Sequence, residues 1–239
     1  MSTIYLFRHG QAGLRDDYDR LSELGHQQAR QLGAFVAREG LRFDKVIVGG
    51  LRRQRETAEA VLAALDAAGL APNAVEHDRN WNEFDLDIVY EGIAPQIASA
   101  DEQFRAEFEA QQNLVRAGDG AIHRTWTAAD TTVMRAWIEG AYPCPGESWA
   151  GFVDRIRTAG DRFRDLPAGA RLAVFTSATP ISIWGAAAFD SRDPSHIMRL
   201  AASSVNSSIT ILHWRHGELY LASFNATPHL TDARQRTFR

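Results

Sequence analysis

The chain has 239 residues, 45% of them hydrophobic and 23% charged, with 18 Gly, 8 Pro and a single cysteine, Cys144. That is enough for a sizeable core, and it excludes a disordered, collagen-like or disulfide-stapled protein. The net charge of -4 gives no general attraction for nucleic acid or an anionic membrane, so neither is expected as a partner. No apolar run approaches the roughly 20 residues that span a bilayer. Met1 to Gly10 reads as a strand rather than a secretion signal, and a cytoplasmic location is expected. Every basic residue except Lys45 is arginine, whose planar fork of donors suits carboxylate or phosphate.

In chain order, Thr3 to Phe7 forms a compact β run that stops at Arg8-His9-Gly10. A polar loop rich in Asp follows. Ala29, Leu32, Phe35 and Val36 then recur at helical spacing, with Ser22 as cap and Gly40 as stop. Lys45 to Val48 reads as a second strand, and Ala58, Val61, Leu62 and Leu65 line the face of a second helix ending near Gly69. From about Trp81 to Pro145 the rhythm breaks, with helices expected at Gln103 to Val115 and around Asp130 to Glu139 and a glycine-rich bend at Gly118 to Gly120. This stretch, 81–145, is read as a helical insertion within a single domain spanning 1–239. Its aromatic residues Trp81, Tyr90, Trp126, Trp137 and Tyr142 are read as its small core rather than as a ligand lining. Alternation resumes with a helix from Ser148 to about Arg164, a strand at Leu172 to Phe175, a helix after Pro180, and a hairpin of Ser208 to Trp214 with Glu218 to Phe224. The fold class is α/β, a three-layer αβα sandwich around a mostly parallel sheet with one antiparallel edge strand.

Open parallel sheets bind ligands beyond the carboxyl ends of their strands. Three polar clusters fall there: Arg8-His9-Gly10, the turn Gly49 to Arg55, and Thr176 to Thr179. The second opens a helix, whose free N–H groups and dipole favour an anion. Of its arginines, Arg52 and Arg55 are read as a solvated helix face.

Together these residues resemble the histidine phosphatase superfamily, also called phosphoglycerate mutase-like. The Arg-His-Gly signature stands as Phe7-Arg8-His9-Gly10-Gln11. The pattern Ser-Pro-Leu-x-Arg-Ala-x-x-Thr-Ala stands as Gly49-Gly50-Leu51-Arg52-Arg53-Gln54-Arg55-Glu56-Thr57-Ala58. The first-helix opening Leu21 to Ala29, Pro145-Gly146-Glu147-Ser148 with Phe152 and Arg155, and the tail Asn225 to Leu230 follow in the family's order. The resemblance implies a phosphoglycerate mutase-like fold and a phosphomonoesterase of a small phosphorylated metabolite, needing neither metal nor cofactor. His9 would be the nucleophile and form a phosphohistidine. Arg8 and Arg53 would hold the phosphoryl oxygens, with Gln11 beside them as a binding residue. Trp81-Asn82-Glu83-Phe84-Asp85 resembles Leu-x-Glu-x-Asp, making Glu83 the general acid and later the base, ahead of Asp85 and Asp87.

One departure stands out. The family's fourth strand ends in a second catalytic histidine, and Ser177 stands in its place here. Ser177 remains a candidate phosphate binder, and Arg52 and the insertion's His123 are candidates for taking over the lost charge. His229 belongs to a tail found in members that already have the second histidine, and is not counted as a replacement. His26, His77, His196, His213 and His216 are read as surface or capping residues. Two readings stay open: a hydrolase working through phospho-His9, and a catalytically impaired protein that binds a phosphorylated ligand or partner. A mutase fits less well, because no features for holding a bisphosphorylated intermediate are found. The oligomeric state is left open.

Overall fold

The computed structural model describes residues 1–14, 17–118 and 126–238. The strands are β1 (Ser2–Arg8), β2 (Lys45–Val48), β3 (Val75–His77), β4 (Arg171–Thr176), β5 (Ile209–Arg215) and β6 (Glu218–Ala226). They form one sheet in the order β3-β2-β4-β1-β5-β6. β1 to β4 pair in parallel, β5 runs antiparallel to β1, and β6 closes the hairpin at the edge. The sheet is mostly parallel with helices on its faces, as the alternation of strand and helix predicts.

Contacts divide the chain into two compact units. One contains Met1–Gly13, Asp17–Glu83 and the chain from Ile156 onward; the other contains Phe84–Arg155 together with Leu14. In the first unit, α1 (Glu23–Arg38) and α2 (Arg52–Ala67) lie on one side of the sheet. Leu32, Val36, Val61 and Leu65 pack there against Phe7, Val46, Val48, Ala173 and Phe175. Alternate strand residues Ile4, Leu6, Ile47 and Val174 are equally buried and point to the opposite face. Trp81 stacks on Phe163, with ring centroids 5.6 Å apart, and Trp184 packs tilted against Phe163 at 4.8 Å.

The second unit holds α3 (Leu86–Ala100), α4 (Glu102–Arg116) and α5 (Ala128–Glu139), while α6 (Trp149–Gly160) begins in it and runs on into the first. α3 begins within the stretch read as insertion but is not anticipated from the sequence. The core of this unit gathers Phe84, Trp137, Trp149 and Phe152. Trp137 is buried as expected; Trp126 is exposed, and Trp81 belongs to the first unit's stack. α7 (Ala178–Ala187) and α8 (Pro194–Ser203) complete the first unit.

Candidate active site

β1 and β4 end side by side, with Arg8 opposite Thr176 and His9 N–H donating to Thr176 O at 3.0 Å. His9 and Ser177 therefore leave adjacent parallel strands together. His9 is buried. Its Nδ1 lies 2.7 Å from Gly10 O, and since a carbonyl only accepts, Nδ1 carries the proton and Nε2 the lone pair. Arg53 Nε–H donates to that Nε2 at 3.2 Å. Burial, then the charges of Arg53 and Arg8, push the imidazole well below its usual titration range, so the ring is neutral at physiological pH.

Arg53 reaches His9 because Thr57, one helical turn later, fastens α2 to the first loop. Thr57 Oγ1 accepts from Gly10 N–H at 3.0 Å and donates to Arg53 O at 2.8 Å. The spacing of Arg and Thr in the motif thus has a mechanical reason. The far end of the Arg53 guanidinium, Nη1, donates to Asp19 Oδ1 at 3.0 Å, and its Cζ lies 4.8 Å from the centre of the Tyr18 ring. Asp19 also accepts from Arg52 N–H through both oxygens, each at 3.1 Å. The anion favoured at the start of α2 is therefore supplied by the chain itself. The Arg52 side chain is exposed and paired with Glu56 at 2.7 Å, not turned to His9. Arg55 donates to Gly50 O, so it is more than a solvated charge.

Arg8 is also buried. Its Nη1 donates to Ser204 O, its Nη2 to Phe238 O at 2.7 Å, and its Nε is enclosed without a partner among the described residues. This guanidinium is lowered to about 10, chiefly by burial and in small part by Arg53, against the opposing pull of Tyr18 and Glu83; it stays cationic at neutral pH. Gln11 is fixed on three sides. Its N–H donates to Gln28 Oε1 at 2.7 Å, its side-chain Oε1 accepts from Ser22 Oγ at 2.7 Å, and its carbonyl accepts from Ser22 N–H.

Glu83 follows the 3-10 turn Arg79–Trp81, and its Oε2 accepts from Thr179 N–H at 3.1 Å in the first turn of α7. Asp85 is occupied otherwise: it caps α3, accepting from Asp87 and Ile88 N–H at 3.1 Å. Ser177 Oγ accepts from Gln54 Nε2 at 2.9 Å, a partner not anticipated from the sequence. Tyr18, Asp19 and Gln54 are the site residues that sequence reasoning does not pick out; the Asp-rich loop and the Gln in the motif's Ala position are the signals that point to them. His123 lies outside the described residues. His229 is buried, accepts or donates at 2.8 Å with Ser207 Oγ, and has its pKa lowered to about 4 by burial. Ser207 N–H in turn donates to His9 O at 3.0 Å, so His229 braces the backbone behind the site. Among the described residues no three His, Cys, Asp or Glu side chains group as a metal site would, and no helix is long and apolar enough to cross a membrane.

The family model of the histidine phosphatase superfamily (branch 1) matches residues 4–129 and 119–227. Among curated proteins, the mitochondrial serine/threonine-protein phosphatase Pgam5 of Drosophila grimshawi is 38% identical over 66 residues, covering 26% of this chain and 23% of that protein. Its counterpart in Caenorhabditis briggsae is 37% identical over 62 residues, covering 26% and 22%. The matched stretch thus spans about a quarter of these relatives. Similar solved structures include a putative alpha-ribazole-5'-P phosphatase from Escherichia coli (TM-score 0.63, 16% identity, covering 95% of this chain and 98% of that one). A phosphoserine phosphatase mutant from Entamoeba histolytica in complex with phosphoserine gives 0.59, 18%, 96% and 100%. A mycobacterial glucosyl-3-phosphoglycerate phosphatase complexed with VO3 gives 0.56, 20%, 94% and 99%. At these identities the likeness is one of fold.

Proposed function

The chain belongs to the histidine phosphatase superfamily, and on that premise we propose that it hydrolyses a small phosphorylated metabolite through a phosphohistidine at His9. The observation that carries this reading is the neutral His9 ring, its Nδ1–H held by Gly10 and its Nε2 lone pair facing the Arg53 guanidinium. On substrate binding, Arg53 Nε–H exchanges His9 for a phosphoryl oxygen, and the enclosed Arg8 Nε supplies a second charge-assisted donor. Nε2 attacks phosphorus in line, the P–O bond to the leaving group breaks, and Glu83 delivers a proton to the departing oxygen. Positive charge then develops on the ring, and the Gly10 carbonyl stabilises it at Nδ1–H. Water next attacks the phosphohistidine, Glu83 takes its proton, and phosphate leaves with His9 neutral again.

A panel of sugar, nucleotide and aryl phosphates, assayed beside His9→Ala, tests this. Turnover by the wild type that vanishes in the variant, with an acid-labile phosphoenzyme trapped only in the wild type, is the expected result; equal inactivity on every substrate overturns it. The specific observation favouring the second reading, a binding protein without turnover, is the uncharged hydroxyl of Ser177 where the family's second histidine stands. Phosphate binding by calorimetry in a protein with no turnover would be its signature.

A further inference from the structure

Ser177 occupies the N-cap position of α7, where a serine hydroxyl ordinarily accepts a hydrogen bond from the first turn. Here it makes no such bond. Capping has passed to Glu83, which takes the Thr179 N–H. The neighbouring Thr176 hydroxyl is spent on Trp81 O at 2.6 Å. The Ser177 hydroxyl is thus released from its usual structural task at the point where β4 delivers it next to His9.

What holds it is Gln54, a fully buried side chain one residue after Arg53. The orientation of its amide is fixed by its neighbours. Leu51 N–H, which only donates, lies 3.2 Å from Oε1, and Trp81 O, which only accepts, lies 3.2 Å from Nε2. The second hydrogen on Nε2 must then go to Ser177 Oγ at 2.9 Å. Because Ser177 Oγ accepts there, its own hydrogen is directed away from Gln54.

We propose that Ser177 is the site's second transition-state donor and that Gln54 is a positioning residue that turns the Ser177 proton toward the phosphoryl group on His9. This rests on the hydrolase reading above. Accepting from Gln54 also polarises the hydroxyl and strengthens its donation. A neutral pair thereby replaces an ionisable imidazole, so the second donor titrates nowhere near neutrality.

The test is a double-mutant cycle of Ser177→Ala, Gln54→Leu and the double variant, with an aryl phosphate as substrate and with orthophosphate and vanadate as ligands. Each single change is expected to lower kcat by about 100-fold, the usual effect of losing one preorganised donor, with KM and phosphate affinity changed less than about threefold. The double variant should be no slower than the worse single one, because the two residues act through one proton. Vanadate, which mimics the five-coordinate transition state, should lose affinity in parallel with kcat. Additive losses, or a Gln54→Leu effect that persists undiminished when Ser177 is already Ala, overturn the proposal. Should Gln54→Leu fail to fold, Ser177→Ala alone decides: unchanged kcat and unchanged vanadate affinity sink the idea. If the wild type has no His9-dependent turnover, the hydrolase reading fails separately, and the vanadate-to-phosphate selectivity of Ser177→Ala still decides this one.

Discussion

Glu83 caps α7 through Thr179, and on the proposed reading the same carboxylate is the site's proton donor. Glu83→Gln separates the two roles, since the amide oxygen still accepts from Thr179 N–H while the acid is gone. Folding should therefore survive, and kcat/KM on alkyl phosphates, which reports the phosphorylation step alone, should fall about 100- to 1,000-fold, within the range usual for a lost general acid. A nitrophenyl leaving group needs no proton, so kcat/KM for its phosphate ester should suffer far less. Comparing kcat/KM on the two substrates, with circular dichroism as the folding control, checks this; equal losses in kcat/KM on both would remove Glu83 from the acid role. Arg53 offers a second contrast at the same scale. Its Nε serves His9 while its Nη1 serves Asp19, a division that only a planar fork makes. Arg53→Lys should keep the charge and lose the geometry, raising KM and lowering kcat together, each by at least tenfold in steady-state assays.

The first loop and α1 meet more closely than any side chain allows. A Cβ added to Gly25 would lie 2.1 Å from Gln11 O, and one added to Gly10 would lie 2.5 Å from Gly25 O. Gly25→Ala must push the helix off the loop that carries His9 and Gln11. Overpacking of this kind costs about 1 to 3 kcal/mol, to be read as a lower urea midpoint together with reduced kcat; an unchanged midpoint would contradict the close approach. Such contacts explain what the sequence discloses and what it hides. β1, α1, β2 and α2 are legible because apolar spacing, the Ser22 cap and the stops at Gly40 and Gly69 all agree. α3 is hidden because Gly92 and Pro95 interrupt its run. Arg8, His9 and Ser177 are legible because motifs place them at strand ends, and Arg53 because its motif places it in the first turn of α2. Asp19, Gln54 and the carbonyls on Arg8 are not, since those contacts join residues 34, 123, 196 and 230 positions apart and depend on side-chain directions that no local pattern encodes.

Over the whole molecule, the burial that keeps His9 neutral has a cost in acid, and His229 shares it. Both imidazoles titrate below their ordinary range when folded, His229 at about 4. The unfolded chain, where histidine titrates near 6.5, is then the stronger proton binder, so stability must fall as pH drops below about 6.5 and, for His229, level off below about 4. Between pH 7.5 and 5.5 His229 alone should remove about 1 kcal/mol. That window lies above the range of Glu56 and Glu76, whose carboxyls are held below their usual values by their partners and which therefore stay ionised throughout it. Urea unfolding at the two pH values measures the loss. His229→Gln, which keeps a polar partner for Ser207 but cannot take up the proton, should reduce it by about 1 kcal/mol; an identical pH dependence in the variant would mean that the buried ring is not the source. On the proposed reading the same burial favours catalysis, because a buried His9 ring keeps its Nε2 lone pair available where an ordinary histidine is already taking up a proton.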